Sequence, residues 1–289
     1  MKDVIALPHS IEVLDENRPH NLSGHPWQPK EISVTQMFYR KFLFLVLGLC
    51  IPAAPARTLC QETHPPHWTY KGSEGPNHWS TLDPAFAPCS SGHHQSPIDI
   101  RDAKKEDLPV LKFDYNAVPL SIIDNGHTVM INYAPGSTLT VGDRIYKLTQ
   151  FHFHHPSEEH INGKKFAMVA HLVHADADGH LAVVAVLFKI GVSDRLLETL
   201  WKNIPKEKEK TVTLSSVSIN VKDLLPADFS YYTFSGSLTT PPCTEGVTWF
   251  VLKDAATLSA QQLVTFANLY PADNRPIQPT YQREILETK

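Results

Sequence analysis

The stretch QFHFHHPSEEHINGKKFAMVAHLVH, residues 150–174, decides how this chain folds and where its chemistry lies. Successive side chains of a β-strand point to opposite faces, so His152 and His154 share one face and the neighbouring phenylalanines share the other. The run 166–173 is a second apolar segment of strand character and carries His171. The polar loop between the two segments contains Asn162-Gly163, a strong signal for a hairpin turn. The hairpin would bring His171 beside the other two histidines.

Three neutral imidazoles with a fourth position left to water form the ligand set of a catalytic zinc site, whereas closed structural sites take four protein ligands. The sequence therefore predicts His152, His154 and His171 as metal ligands. The plainer alternative is that each histidine merely packs in a strand or lies at the surface. Three other histidines receive no ligand role, because His155 and His174 face away on strand alternation and His160 lies in the loop.

The rest of the chain is mainly β, with short helices. The predicted strands are rich in β-branched and aromatic residues and are separated by Gly, Pro and Asp turns: 120–124, 128–133, 138–141, 181–190 and 247–252. The run 181–188 is continuously apolar, as expected of a central strand that is covered on both faces. Helical periodicity is confined to 195–201, 221–224 and 259–269. These patterns predict a single β-dominated domain.

Composition limits the classes of function. The net charge of −4 is mildly acidic, and this argues against nucleic acid as a partner, since such proteins normally present a basic face. The chain of 289 residues is long enough for one large core or two small ones.

The first 66 residues show the organisation of an exported precursor. Residues 1–36 have no sustained periodicity and are predicted to be a poorly structured extension, and Met37 is an alternative start of the chain. Residues 37–56 combine a basic pair, a ten-residue apolar run and an Ala-Pro-Ala site, as a secretory signal peptide does, and the apolar run is too short for a comfortable membrane span. The alternative for this segment is a buried strand or helix. Residues 57–66 would be a linker, and residues 67–289 the catalytic domain.

Several separated motifs together resemble the alpha-class carbonic anhydrases, in particular their bacterial exported type. They are Gln95-Ser-Pro-Ile-Asp-Ile100, Asn125-Gly-His127, Gln150-Phe-His-Phe-His154, Ser157-Glu158, Ala170-His-Leu-Val-His174, Gly236-Ser-Leu-Thr-Thr-Pro-Pro242 and Val247-Thr-Trp249. They occur in the order in which the family has them, and the resemblance runs from about His67 to Glu287. It implies a large, mostly antiparallel twisted β-sheet, a Zn²⁺ cofactor, and the reversible hydration of carbon dioxide to bicarbonate.

The resemblance also assigns roles to individual residues. Thr239 would donate its hydroxyl proton to Glu158 and accept a hydrogen bond from the attacking hydroxide, because a hydroxyl has only one proton to give. His127 would carry protons away from the site, since an imidazole titrates near neutral pH. An apolar wall and nearby residues would hold the substrate: Val173, Val183, Leu238, Thr240, Val247 and Trp249. Tyr70 and Asn125 would order water, and Gln150 would accept a hydrogen bond from a ligand ring.

The cysteines fit the exported context. Cleavage after Ala56 would leave Cys60, Cys89 and Cys243 in the mature chain, and two of them should pair in an oxidising compartment. The resemblance implies the pair Cys89–Cys243, worth about 2–4 kcal/mol of stability, with two reduced thiols as the alternative. Cys60 would remain as a free or intermolecular thiol.

One position departs from the family pattern. A glutamate normally lies two residues before the third histidine ligand and accepts a hydrogen bond from its second ring N–H, but Val169 occupies that position here. Because loss of such an acceptor costs about 10–100-fold in metal affinity or activity, the sequence predicts an incomplete support for His171 and weaker zinc retention. It also keeps an inactive binding module open as an alternative function, beside an esterase side activity.

The sequence thus predicts an exported zinc enzyme, periplasmic or alternatively secreted. It would act on carbon dioxide and bicarbonate as a monomer or homodimer and would have no stable membrane span after signal cleavage.

Overall fold

A long apolar strand at 181–190 lies in the middle of the main sheet, as its composition predicts. The structure is a computed structural model, and it describes residues 66–289. Within that part the strands are β1 Asp99–Ile100, β2 Lys104–Glu106, β3 Leu111–Asp114, β4 Val118–Asp124, β5 Val129–Asn132, β6 Thr138–Val141, β7 Arg144–His154, β8 His160–Ile161, β9 Lys164–Lys165, β10 Met168–Ala175, β11 Leu181–Ile190, β12 Val212–Ile219, β13 Tyr231–Ser237, β14 Glu245–Leu252, β15 Ala256–Leu258 and β16 Leu286–Thr288.

Thirteen of these strands form one mixed sheet in the order β12-β4-β5-β7-β10-β11-β14-β13-β16-β2, with β3, β6 and β15 at its sides. Most neighbours are antiparallel, and the parallel pairs are β11 with β14, β11 with β15, and β16 with β2. A small second sheet has the order β1-β8-β9. The predicted large, mostly antiparallel sheet is therefore confirmed.

The two faces of the main sheet carry different cores because side chains alternate along each strand. Phe151 and Phe153 of β7 belong to the larger apolar cluster, together with Leu172 of β10. On the opposite face, Val169 and Val183 belong to a second cluster. Strand β11 contributes to both, and its residues from Ala182 to Phe188 are at most 2% exposed. It is the doubly covered strand that its sequence predicted.

The helices are few and short: α1 Trp79–Leu82, α2 Pro88–Ser91, α3 Arg195–Lys202 and α4 Ala260–Leu269, with 3-10 turns at Gly72–Glu74, Pro84–Phe86 and Val221–Leu224. Helix α3 begins where the side chain of Asp194 accepts a hydrogen bond from the Leu197 amide at 2.8 Å. Helix α4 begins at a capping box, in which Ser259 and Gln262 each bond the other's backbone amide. The three segments predicted from helical periodicity are helical in the structure, with bounds that agree to within one residue.

A disulfide joins Cys89 and Cys243, which are 154 positions apart. Both lie in a small apolar cluster with Trp79 and Phe86. The pairing implied by the resemblance is thus present in the structure. It ties the segment before the main sheet to the loop that follows Thr239.

The predicted extension 1–36, the signal peptide 37–56, Cys60 and all of the linker 57–66 except its last residue lie outside the described residues. Among residues 66–289, no helix combines the length and apolar character that crossing a membrane requires.

Candidate metal centre

Strands β7 and β10 place three histidines around one point. The strands are antiparallel neighbours, with His171 directly opposite His152 and Val169 opposite His154. One ring nitrogen from each of His152, His154 and His171 lies within 4.8 Å of the other two. The ring centroids are 4.9–5.4 Å apart. The structure therefore brings together the three residues predicted as ligands.

The loop between these strands contains the predicted turn. Asn162 and Gly163 have positive φ values of 51° and 77°, as the type of turn favoured by Asn-Gly requires. The turn joins the short strands β8 and β9, so it forms a small hairpin inside the longer connection from β7 to β10. Strand β8 also pairs with β1, which fixes the loop beside the histidines.

Each of the three rings has an acceptor on its outer side. Nδ1 of His152 lies 2.9 Å from Oε1 of Gln150, and Nδ1 of His154 lies 2.7 Å from the Asp273 carbonyl oxygen. Nε2 of His171 lies 3.1 and 3.2 Å from the two carboxylate oxygens of Glu159. Carbonyl and carboxylate oxygens only accept, so these ring nitrogens donate, and the lone pairs of the remaining three nitrogens are directed inward. Two rings would bind a metal through Nε2 and one through Nδ1.

Glu159 overturns the expectation of missing support for His171. Val169 does lack an acceptor and is buried in the second apolar cluster. The carboxylate of Glu159, in the loop between β7 and β10, reaches the His171 ring instead. Glu159 is fully buried. Burial acts to raise its pKa, yet the adjacent His171 and the hydrogen bond from it hold the pKa of Glu159 below the usual value. The sequence carried a signal for this residue in the paired glutamates at 158 and 159.

Glu158 lies against the inward side of the site. Its Oε1 accepts a hydrogen bond from the Arg275 backbone amide at 2.7 Å. Its Oε2 lies 3.7 Å from Nε2 of His154 and 3.9 Å from Nδ1 of His171. Although burial acts to lower it, the pKa of His154 is raised by Glu158 and Asp273. The hydrogen bond between Thr239 and Glu158 implied by the resemblance is not formed, since Oε2 has no partner among the described residues.

Unpartnered polar atoms are concentrated here. Five buried side-chain nitrogen or oxygen atoms have no hydrogen-bond partner within residues 66–289, and four of them belong to this region: Tyr70 Oη, His154 Nε2, Glu158 Oε2 and Asp273 Oδ2. Native proteins leave few such atoms, and each calls for an explanation such as an ion or water. Burial and the two neighbouring imidazoles also hold the pKa of His152 well below its usual value. The lowered pKa of His152 favours the neutral imidazole that a metal ion requires, and the carboxylates that raise the pKa of His154 favour a positive charge in the site.

A cavity of about 180 Å³ opens beside the histidines. The predicted residues Tyr70, Asn125, His127, Gln150 and Thr240 line it with His152 and His154, and so do Trp68, Thr128 and Met130, which sequence reasoning missed. The Asn125 side chain is engaged in shaping the turn, because its oxygen accepts hydrogen bonds from the backbone amides of His127 and Thr128.

His127 stacks on Trp68, with ring centroids 3.7 Å apart and an interplanar angle of 5°. Partial burial, followed by the neighbouring His67, lowers the pKa of His127 from its usual value. The aromatic character of Trp68 and its position two residues before Tyr70 were the available signal for this contact.

The predicted apolar wall forms around His171 rather than around the cavity. Val183, Val247 and Trp249 are buried in the second apolar cluster, and the partly exposed Val173 and Leu238 pack against it. The Trp249 ring lies 4.9 Å from the His171 ring. The wall therefore borders the three-histidine point from the side of His171.

The remaining histidines are engaged elsewhere, as predicted. Nδ1 of His155 bonds the Ala167 carbonyl oxygen at 2.7 Å. His174 is fully buried and bonds the hydroxyl of Tyr115 at 2.7 Å. His160 belongs to the short strand β8 in the loop.

Comparison with known proteins places this geometry in context. A family model described as eukaryotic-type carbonic anhydrase matches residues 74–289. A carbonic anhydrase from Pectobacterium carotovorum is 40% identical over 243 residues, which cover 84% of this chain and 96% of that protein. A carbonic anhydrase from Nostoc sp. is 35% identical over 267 residues, with 88% and 99% coverage.

Solved structures agree with these matches. A hyperthermostable carbonic anhydrase identified from an active hydrothermal vent chimney gives a TM-score of 0.75 at 45% identity, covering 77% of this chain and all of that one. The alpha-carbonic anhydrase from Thermovibrio ammonificans, in complex with the inhibitor sulfanilamide, gives a TM-score of 0.75 at 39% identity, with 78% and 100% coverage.

Proposed function

The chain belongs to the eukaryotic-type, or alpha-class, carbonic anhydrase family, and from this premise we propose that it is an exported zinc enzyme that hydrates carbon dioxide reversibly. Family membership supports the carbonic anhydrase activity itself. The single observation that supports the zinc-dependent form of that activity is the convergence of three imidazole nitrogens within 4.8 Å, each ring having an outer acceptor.

The donor set fits zinc. His152 and His154 would bind through Nε2 and His171 through Nδ1, and three nitrogen ligands leave one position of a tetrahedral ion open. The unpartnered Nε2 of His154 is the atom that such an ion would satisfy. When bound, zinc lowers the pKa of a water in its open position from about 15.7 to about 7, an effect for which carbonic anhydrase is itself the standard example.

The chain's own residues would hold the reactants. Carbon dioxide is apolar and needs an apolar surface rather than a charged clamp, and the wall beside His171 supplies one through Trp249 and Val247. Thr239 would orient the attacking oxygen. Oε2 of Glu158 has no hydrogen-bond partner among the described residues. A Thr239 hydroxyl that turned to donate to this oxygen would keep only acceptor character toward the nucleophile.

His127 would take up the proton that hydration releases. It lines the same cavity as His152 and His154, and a neutral imidazole accepts a proton near neutral pH and returns it to buffer. Its stacking on Trp68 holds the ring at the edge of the cavity. Tyr70 and Gln150, which line the cavity too, offer polar atoms to the water between His127 and the ligands.

Export is supported by composition and by the disulfide. Residues 37–56 have the order of charge, apolar run and small residues that a signal peptide has, and the Cys89–Cys243 bond suits an oxidising compartment. We infer a periplasmic or secreted mature chain, monomeric or homodimeric, with small-molecule substrates. N-terminal sequencing of the protein recovered from the periplasmic and extracellular fractions tests this, and a cytoplasmic protein beginning at Met1 would contradict it.

The test of function combines zinc content with carbon dioxide hydration of the purified chain. We expect one zinc per chain and hydration activity, both lost in His152→Ala, while the exposed control His78→Ala keeps both. A chain that binds no zinc and has no activity would favour the inactive binding module. Activity toward activated esters without carbon dioxide hydration would favour the esterase.

A further inference from the structure

The carboxylate of Glu159 makes a contact that the zinc site needs and that the family obtains from another position. Glu159 lies in the loop between β7 and β10, seven positions after His152 and twelve before His171. Both of its carboxylate oxygens lie within 3.2 Å of Nε2 of His171. The contact is buried on both sides, since Glu159 is fully buried and His171 is 1% exposed.

Burial of this carboxylate is costly unless a cation compensates for it, because an isolated ionised carboxylate loses its hydration. Within the described residues, no lysine or arginine forms an ion pair with Glu159, and its charged-group contact is His171. A neutral imidazole offers one hydrogen bond but no net charge. A divalent ion bound at the other nitrogen of the same ring would compensate the negative charge of the buried carboxylate.

The position that carries this acceptor in the resembled family is occupied here by Val169, which belongs with Ile98 and Leu187 to the second apolar cluster. Val169 lies on the same strand face as His171, two positions before it. The strand thus offers hydrophobic contact where an acceptor is expected, and the loop offers an acceptor. The two differences compensate each other.

We propose that Glu159 is the positioning residue for His171 and that this chain has moved the acceptor from the strand to the loop. The proposal rests on the proposed zinc function. By accepting a hydrogen bond from Nε2–H, Glu159 fixes the ring tautomer that leaves Nδ1 free for the metal, and it holds the ring in the plane that points toward His152 and His154. Glu159 would act through His171, whose Nε2 its carboxylate contacts.

Three variants separate this role from a structural one. Glu159→Val removes the acceptor, Glu159→Gln keeps an acceptor without charge, and the double variant Glu159→Val/Val169→Glu exchanges the two residues and keeps the composition. Glu284→Gln, at an exposed glutamate, is the matched control. Zinc affinity and the rate of zinc loss to a chelator are measured for each, together with the imidazole N–H signal of His171 by NMR and thermal unfolding of the metal-free form.

Zinc affinity should fall about 10–100-fold in Glu159→Val, as is usual when such an acceptor is lost. The zinc affinity of Glu159→Gln should lie between that of Glu159→Val and that of the native chain. The exchanged double variant should recover most of the affinity and the protected Nε2–H signal, even if its unfolding temperature differs. Native affinity in Glu159→Val, or no recovery in a folded double variant, would overturn the proposal. A native chain that binds no zinc at all would instead overturn the proposed function and this proposal with it.

Discussion

His174 should make the stability of the fold depend on pH. It follows His171, one of the three proposed ligands, by three positions but faces the other core, where it is fully buried. Its Nε2 lies 2.7 Å from the Tyr115 hydroxyl, and its Nδ1 lies 3.3 Å from the Ala182 carbonyl oxygen. Both contacts are satisfied by a neutral ring that accepts from Tyr115 and donates to Ala182. A protonated ring would lose the bond from Tyr115 or require its reversal.

The magnitude follows from the pKa. Burial lowers the pKa of His174 to about 4 in the folded chain, despite backbone hydrogen bonds that oppose the shift, and the unfolded value is about 6.5. Between these two values the unfolded chain binds more protons than the folded chain, so the free energy of unfolding rises with pH across this window. Acidification from about pH 6.5 to about pH 4 should therefore lower the free energy of unfolding by about 3 kcal/mol through this residue alone. This is a large part of the roughly 5–15 kcal/mol that is usual for a folded protein.

The assay is denaturant unfolding of the metal-free chain at intervals between pH 7 and pH 4, compared with His174→Gln. Glutamine can accept from Tyr115 and donate to Ala182, but it does not titrate. The variant should be less stable at pH 7, and its deficit should shrink by about 3 kcal/mol on acidification. His78→Gln, at an exposed histidine, controls for the loss of an imidazole as such. Parallel stability curves for the native chain and His174→Gln would refute the argument.

Three further predictions concern the site and its supports. Replacing both Cys89 and Cys243 by serine should lower the free energy of unfolding by about 2–4 kcal/mol in denaturant titrations. An unchanged free energy of unfolding would show that the disulfide does not stabilise the fold. His127→Ala should lower kcat for hydration on the order of 10²-fold, with recovery in imidazole buffer, and an unchanged kcat in the variant would exclude the shuttle. Because burial lowers the pKa of His127 and only the neutral ring accepts the proton, kcat of the native chain should rise with pH through a midpoint below about 6.5. Gln150→Ala should speed zinc loss to a chelator about 10-fold or more, and an unchanged rate would mean that water replaces the amide.

Local pattern predicted the three-histidine point and seven of the strands, β4 to β7, β10, β11 and β14, but not β12 or β13. Alternation along β7 decides that His152 and His154 share a face. The Asn162-Gly163 turn closes the small hairpin of β8 and β9 inside the connection from β7 to β10. The continuous apolar run of β11 identified the central strand in the same way. Such signals lie within a few residues of the elements they specify.

Contacts between distant segments were beyond this reasoning. The acceptor for His154 is the backbone carbonyl oxygen of Asp273, 119 positions away. Every residue has such an oxygen, so the residue type gives no sign of this contact. The stacking of Trp68 on His127 likewise joins segments whose approach is set by the whole sheet. The Thr239–Glu158 hydrogen bond was implied by resemblance alone, and Oε2 of Glu158 has no partner among the described residues.

The mistaken expectation at Val169 has a physical origin. A position in a motif specifies which residue usually supplies the acceptor. The imidazole requires only that some oxygen reach its second nitrogen. Glutamate is long enough to reach that nitrogen from the loop as well as from the strand, and strand β8 fixes the loop by pairing with β1. A missing residue in a motif therefore predicts a missing function only when no neighbouring segment can reach the same atom, and here the second glutamate of the pair reaches it.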